Sequence, residues 1–198
     1  MNKLTKLFIT SISAITLALV SFTSSFAKVE GDYIVLGAAV SLTGKYSSNG
    51  VHTQNGYNLA VERINKMGGV EVGGKKYKFE IIYYDDESNS GRAAQLAERL
   101  IKQDGVKYML GPYSSGLTKA MAPVTEKYKI PMVEANGASR SLFTKGYKYL
   151  FAVLAPANLY LDVAIDLAVE KNGGKPVKIA MAFEQDAFSQ DVRLGILD

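Results

Sequence analysis

The sequence predicts an α/β protein on a doubly wound, mostly parallel sheet, with a complete N-terminal lobe and the start of a second lobe. Three observations predict it. Short β-rich apolar runs alternate with amphipathic helical segments from residue 33 onward. Turn-forming Gly, Pro, Ser and Asn cluster where one kind of run gives way to the other. Strand–helix–strand units cross over right-handed, which sets the strands parallel and covers both sheet faces with helices.

Taken in order, Lys3 and Lys6 precede an apolar run over residues 7–20, and small side chains lead to Ser25-Phe26-Ala27. Residues 1–27 therefore read as a secretory signal cleaved after Ala27. The alternative is a membrane anchor. Thr10, Ser11, Ser13 and Thr16 interrupt the run, which falls short of the ~20 mostly apolar residues a spanning helix needs. The absence of cysteine closes the lipoprotein route and leaves the core to hold the fold without disulfides. The net charge of +4 falls by two with the leader lysines, and what remains is dispersed, with a Lys-rich patch only at residues 75–78. That is not the basic stripe of a nucleic-acid binder.

Residues 33–40 are short and apolar and end in a turn-rich segment, so they form a buried strand. Over residues 51–67, Tyr57, Ala60, Val61, Ile64 and Met67 share one helical face, and Gly68-Gly69 stops the helix. Residues 70–84 are two strand pieces turning at Gly73-Gly74. A second helix carries Ala93, Leu96, Ala97, Leu100 and Ile101; residues 107–110 are a strand; a third helix carries Leu117, Ala120, Met121, Val124 and Tyr128. Brief strands follow at residues 131–134 and 149–154, then a helix over residues 158–171 with Leu161, Ala164, Leu167 and Ala168 inward. Residues 177–183 read as a further strand and a helix starts near Ser189. Ala155-Pro156-Ala157 marks the domain crossing, giving an N-terminal lobe over residues 28–155 and a second lobe begun at 156–198. Because so few strands follow the crossing, the chain reads as a fragment of a longer protein.

Open parallel sheets bind ligands outside the carboxyl ends of their strands. The loops there are residues 41–50, 85–91, 111–116 and 134–141. Gly111-Pro112-Tyr113-Ser114-Ser115-Gly116 leads from a strand into a helix, whose first amides and dipole attract a carboxylate or phosphate. Ser114 and Ser115 add hydroxyls, though one of them can equally cap the helix. The small residues of Glu134-Ala135-Asn136-Gly137-Ala138-Ser139 allow close approach to backbone carbonyls, which suit an ammonium group; an ordinary polar loop is an equal reading. Asp85-Asp86-Glu87 lacks the accompanying ligands a metal needs and reads as a solvated strand-end loop. Residues 69–76 approach a P-loop but have Lys76 where Ser or Thr belongs, and they lie between helix and strand. His52, the only histidine, lies near a helix start and reads as structural or exposed, with a Ser–His pair to Ser114 or Ser115 as the alternative. No catalytic, metal or cofactor set emerges.

Residues 36–44 (Leu-Gly-Ala-Ala-Val-Ser-Leu-Thr-Gly), Gly56-Tyr57-Asn58-Leu59-Ala60 and residues 64–69 resemble the opening of the leucine/isoleucine/valine-binding proteins. Tyr84-Asp85-Asp86, residues 111–115, residues 128–131 and Lys145-Gly146-Tyr147 continue the resemblance in order. It implies a type I periplasmic-binding-protein fold: two α/β lobes that close on a ligand and deliver it to an ABC permease. It implies a periplasmic chain that binds branched-chain or related amino acids. The same fold also serves ligand-sensing receptors and binders of amides, urea or aromatic acids. By the resemblance, Ser115 with the amides about Ser114 and Tyr113 holds the ligand carboxylate, and Asn136, Gly137, Ala138 and Ser139 hold the amino end. Ala138 stands where the family has a hydroxyl-bearing residue. Asn49 matches a position that often carries an aromatic side chain, and Phe188 matches an aromatic of the second lobe.

Overall fold

The computed structural model describes residues 29–197; the expected signal, residues 1–27, lies outside them. Strand β1 (Val29–Glu30) pairs antiparallel with the start of β2 (Tyr33–Val40). There follow α1 (Ser47–Lys66), β3 (Val70–Val72), β4 (Lys75–Asp85), α2 (Ser90–Lys102), β5 (Met109–Leu110), α3 (Ser115–Tyr128), β6 (Met132–Glu134) and β7 (Leu150–Ala152). After the 3-10 turns Arg140–Leu142 and Ala157–Leu159 come α4 (Asp162–Lys171) and α5 (Ala187–Leu197).

The sheet runs β3-β4-β2-β5-β6-β7. From β4 to β7 every neighbouring pair is parallel, and β3–β4 is an antiparallel hairpin turning at Gly73 and Gly74. The chain leaves β2 toward β4 on one side and returns to β5 on the other. That reversal opens a crevice at the carboxyl ends of β2 and β5, where a ligand finds no crossover in its way.

The core lies between the sheet and the pair α2 and α3. Val35 and Ala39 of β2, with Met109, Met132 and Leu150, meet Ala93, Leu96, Ala97 and Leu100 of α2 and Leu117 and Met121 of α3. Gly37 shares that face, and a Cβ there would stand 2.9 Å from both Met109 Sδ and Val106 Cγ2, so helix α2 approaches closely over it. The period-2 face of β2 and the 3.6-period faces of the helices thus coincide.

Several sequence expectations are corrected. Helix α1 begins at Ser47, and its inward stripe runs from the buried Gly50 and Thr53 to Tyr57, Val61 and Ile64, while Ala60 and Met67 are exposed. Its first turn docks on the end of β2, since a Cβ on Gly50 would lie 1.9 Å from the Ser41 carbonyl oxygen. Helix α4 starts only at Asp162, and Leu161, Ala164 and Leu167 are exposed. Residues 177–183 pair with no strand among the described residues, and an extended run without a ladder partner has no backbone bonds to define it as a strand. The Asp85-Asp86 loop is not simply solvated. Asp86 is fully buried and takes the Ser41 hydroxyl at 2.6 Å and the Ser88 N–H at 2.8 Å. Asp85 takes the N–H groups of Leu42, Thr43 and Glu87 and the Thr43 hydroxyl, stapling the loop after β2 to the loop after β4.

Candidate ligand-binding site

At the end of β5 the chain closes onto β6: a Cβ on Gly111 would stand 2.4 Å from Glu134 Cβ. Ser114 then caps α3, its Oγ accepting the Leu117 N–H at 3.4 Å. It does so at φ 84°, ψ 150°, a region only glycine enters without strain. Its carbonyl receives both the N–H and the hydroxyl of Thr118 at 3.0 Å, which holds the strained residue in place. Ser115, the first residue of α3, is 1% exposed and its Oγ accepts the Ser139 N–H at 3.2 Å. The first turn of α3 has no intrahelical acceptors for its N–H groups, so the positive end of its dipole faces the crevice.

The loop after β6 forms the second wall. Glu134 is fully buried, and its Oε2 accepts the N–H of Asn136 at 3.0 Å and that of Gly137. Burial pushes its carboxyl above the usual carboxylate range, against the pull of those two N–H groups. Ser139 Oγ turns away to Ser141 Oγ at 2.9 Å and caps the turn Arg140–Leu142. Behind it, Asp191 of α5 takes the Arg140 N–H at 2.7 Å and its Nε at 3.0 Å, tying the C-terminal segment to this loop.

These walls enclose a cleft of about 380 Å³ lined by Tyr46, Tyr113, Ser114, Ser115, Ala135 and Asn136 on one side. Ala138, Leu154, Tyr160, Glu184, Asp186, Phe188 and Ser189 complete its lining. Its aromatic rings meet edge to face in two pairs, Tyr46 with Tyr113 at 5.4 Å and Tyr160 with Phe188 at 5.6 Å. Asp186 is occupied as the cap of α5, taking the N–H groups of Phe188 and Ser189 and the Ser189 hydroxyl. Burial opposes its ionisation, but those hydrogen bonds prevail and hold its carboxyl below the ordinary range. Glu184 sits at the exposed rim, 3.6 Å from Lys45 Nζ.

Of the residues expected to bind, Tyr113, Ser114, Ser115, Asn136, Ala138 and Phe188 come together around this cleft. Gly137 and Ser139 are buried beneath its wall, and Asn49 lies in a separate hollow with His52, Thr53, Gly56 and Tyr57, joined to the cleft through Tyr113, Ala135 and Asn136. Tyr46, Tyr160 and Asp186 were not anticipated as lining residues. Tyr46 lay inside a loop already marked as strand-terminal, and Asp186 three residues before Ser189 is a helix-capping pattern. The Arg140–Asp191 contact spans 51 residues and has no local signal. Among the described residues no group of three or more His, Cys, Asp or Glu could hold a metal ion.

The sequence pattern described as "Periplasmic binding protein" matches residues 33–197. A Leu/Ile/Val-binding protein homolog of Brucella suis is 26% identical, the alignment covering 96% of this chain and 46% of the relative. The chain thus spans about half the length of that relative. Among solved structures, a branched-chain amino acid transporter substrate-binding protein of Streptococcus pneumoniae in complex with isoleucine is 27% identical, with a TM-score of 0.58 over 67% of this chain and 38% of that one. A solute-binding protein of an R. palustris ABC transporter in complex with 4-hydroxybenzoate is 26% identical, with a TM-score of 0.70 over 84% of this chain and 43% of that one. The order of motifs, the parallel sheet and the crevice at its switch point lead to one assignment: the chain belongs to the periplasmic binding protein family, a family of non-catalytic type I solute-binding proteins that includes the Leu/Ile/Val-binding proteins.

Proposed function

We propose that the chain is the solute-binding part of a periplasmic component of an ABC importer, handing its ligand to the permease subunits, and that the ligand is a small aromatic carboxylate. The observation that carries this reading is the pairing of four aromatic rings, Tyr46, Tyr113, Tyr160 and Phe188, around the amino end of α3. A flat ring gains from offset or edge contacts with such walls, while the helix end and the Ser115 hydroxyl receive a carboxylate. The side of the cleft that would meet an ammonium is poor in free anions: Asp186 is spent on its own helix cap. Ala138 adds no hydroxyl there. The R. palustris protein that carries 4-hydroxybenzoate also has the higher TM-score of the two solved relatives.

The second reading is a branched-chain amino acid, with the Glu184 carboxylate as the group that meets the ammonium; the Leu/Ile/Val-binding relative favours it. Calorimetry of the protein against 4-hydroxybenzoate, benzoate, leucine, isoleucine and valine separates the two. Heat only from the benzoates supports the first reading; heat only from the amino acids replaces it with the second.

A further inference from the structure

We propose that Glu134 is a specificity-determining, positioning residue. By taking the N–H groups of Asn136 and Gly137 on one buried oxygen, it makes the facing wall of the cleft an acceptor of hydrogen bonds. The proposal deepens the reading of the cleft given above and rests on it for the choice of ligands.

The place for this side chain is built. Gly111 and Gly137 both lie where a Cβ would strike it, at 2.4 Å from Glu134 Cβ and 2.8 Å from Glu134 Oε2 respectively. Among the described residues Glu134 has no cationic partner and its Oε1 has no hydrogen bond, so the group does not act as half of an ion pair. What it does hold is the backbone. In a trans peptide the N–H and the C=O of one unit point in opposite directions. With the Asn136 and Gly137 N–H groups drawn down onto Glu134, the carbonyls of Ala135 and Asn136 are turned the other way, to the side on which these two residues line the cleft. The loop ends are fixed as well: the Glu134 carbonyl receives the Val153 N–H at 3.2 Å and the Ala138 carbonyl the Ala157 N–H at 2.8 Å.

The cleft is therefore bipolar. The end at α3 donates and suits a carboxylate, and the wall above Glu134 accepts and suits a hydroxyl or other N–H or O–H donor. A ligand with a carboxylate at one end and a donor at the other fits both. Benzoate leaves the acceptors unmatched, and a dicarboxylate such as terephthalate sets an anion against them.

Calorimetry of wild type, Glu134→Gln and Glu134→Ala with 4-hydroxybenzoate, benzoate and terephthalate tests this, together with amide exchange at Asn136 and Gly137. Wild type is expected to favour 4-hydroxybenzoate over benzoate by about tenfold, the worth of one desolvated hydrogen bond, and over terephthalate by more. Glu134→Gln still offers an oxygen to both N–H groups and keeps the preference and the slow exchange. Glu134→Ala releases them and brings the preference down to about twofold. A wild type that does not discriminate, a folded alanine variant that still does, or a glutamine variant that loses the preference overturns the proposal. If the alanine variant does not fold, wild type and the glutamine variant decide. If no benzoate binds wild type, the aromatic-acid reading fails, and fast exchange at Asn136 and Gly137 would separately remove the role of Glu134.

Discussion

Replacing Ser115 by alanine removes one oxygen with two duties. The first is structural. Ser115 Oγ accepts the Ser139 N–H at 3.2 Å in a position 1% exposed, where no solvent replaces it. A buried donor left unmatched costs about 1–3 kcal/mol, and a bond this long belongs at the lower end, about 1–1.5 kcal/mol. The second duty, on the proposed reading, is toward the ligand. The hydroxyl proton donates to no described atom and the residue lines the cleft, so it is available to a carboxylate. A hydrogen bond to a charged group is worth about 1.5–3 kcal/mol, or roughly 10- to 100-fold in affinity. Urea unfolding at constant slope measures the first effect and calorimetry with 4-hydroxybenzoate the second. Stability lowered with affinity intact would restrict Ser115 to holding the Ser139 loop. Both quantities unchanged would refute the geometry itself.

Three further outcomes follow from the same region. Ser114→Gly relieves a backbone strain of about 1–3 kcal/mol, gives up a cap worth only a few tenths against glycine and adds about 0.5–1 kcal/mol of backbone entropy to the unfolded chain, a net gain of about 1 kcal/mol, so the variant should melt about 2–4 °C higher; a lower melting point contradicts the strain. Asp191→Ala deprives Arg140 of two hydrogen bonds; discounted because Arg140 is 39% exposed, the loss is about 2 kcal/mol, seen as a melting point roughly 4–8 °C lower. Glu134 gives a pH signature. Burial raises its folded pKa, so the folded state keeps the proton after the unfolded state has released it, and the contribution of this group to stability is greatest below the ordinary value of 4.5 and declines as pH rises above it. Glu134→Gln removes that slope, so the variant gains on wild type between pH 4 and 7; parallel melting curves across that range would contradict it.

How far the sequence carried depends on the range of the interactions concerned. Strand β2 has the predicted limits because its alternating residues Val35, Gly37 and Ala39 face α2 while the turn residues after Val40 end it. The hairpin at Gly73-Gly74 was equally local. By contrast, β5 and β7 are shorter than their apolar runs, because a strand lasts only as long as its neighbour offers bonds. For α1 and α4 the buried side depends on what packs against them. Gly50 and Thr53, not Ala60 and Met67, meet the sheet, and a hydrophobicity pattern gives little weight to glycine and threonine. In the cleft, the loop and helix amino end after β5 were visible as glycines and serines beside a strand end. Glu134 was visible as a member of its loop, but its fold-back under Asn136 and Gly137 depends on the space left by Gly111, 23 positions earlier. The rings of Tyr46 and Tyr113, or of Tyr160 and Phe188, come to line one cleft only when the segments leading into α1 and α3, the turn Ala157–Leu159 and α5 meet.

If paired aromatic rings beside a helix amino end make this a cleft for an aromatic acid, such an acid outcompetes an aliphatic amino acid there. A calorimetric competition between 4-hydroxybenzoate and isoleucine on the same protein tests it most directly. The expected result is that 4-hydroxybenzoate binds and that isoleucine displaces it only at concentrations more than about tenfold higher. Tight isoleucine binding that 4-hydroxybenzoate fails to disturb would contradict it.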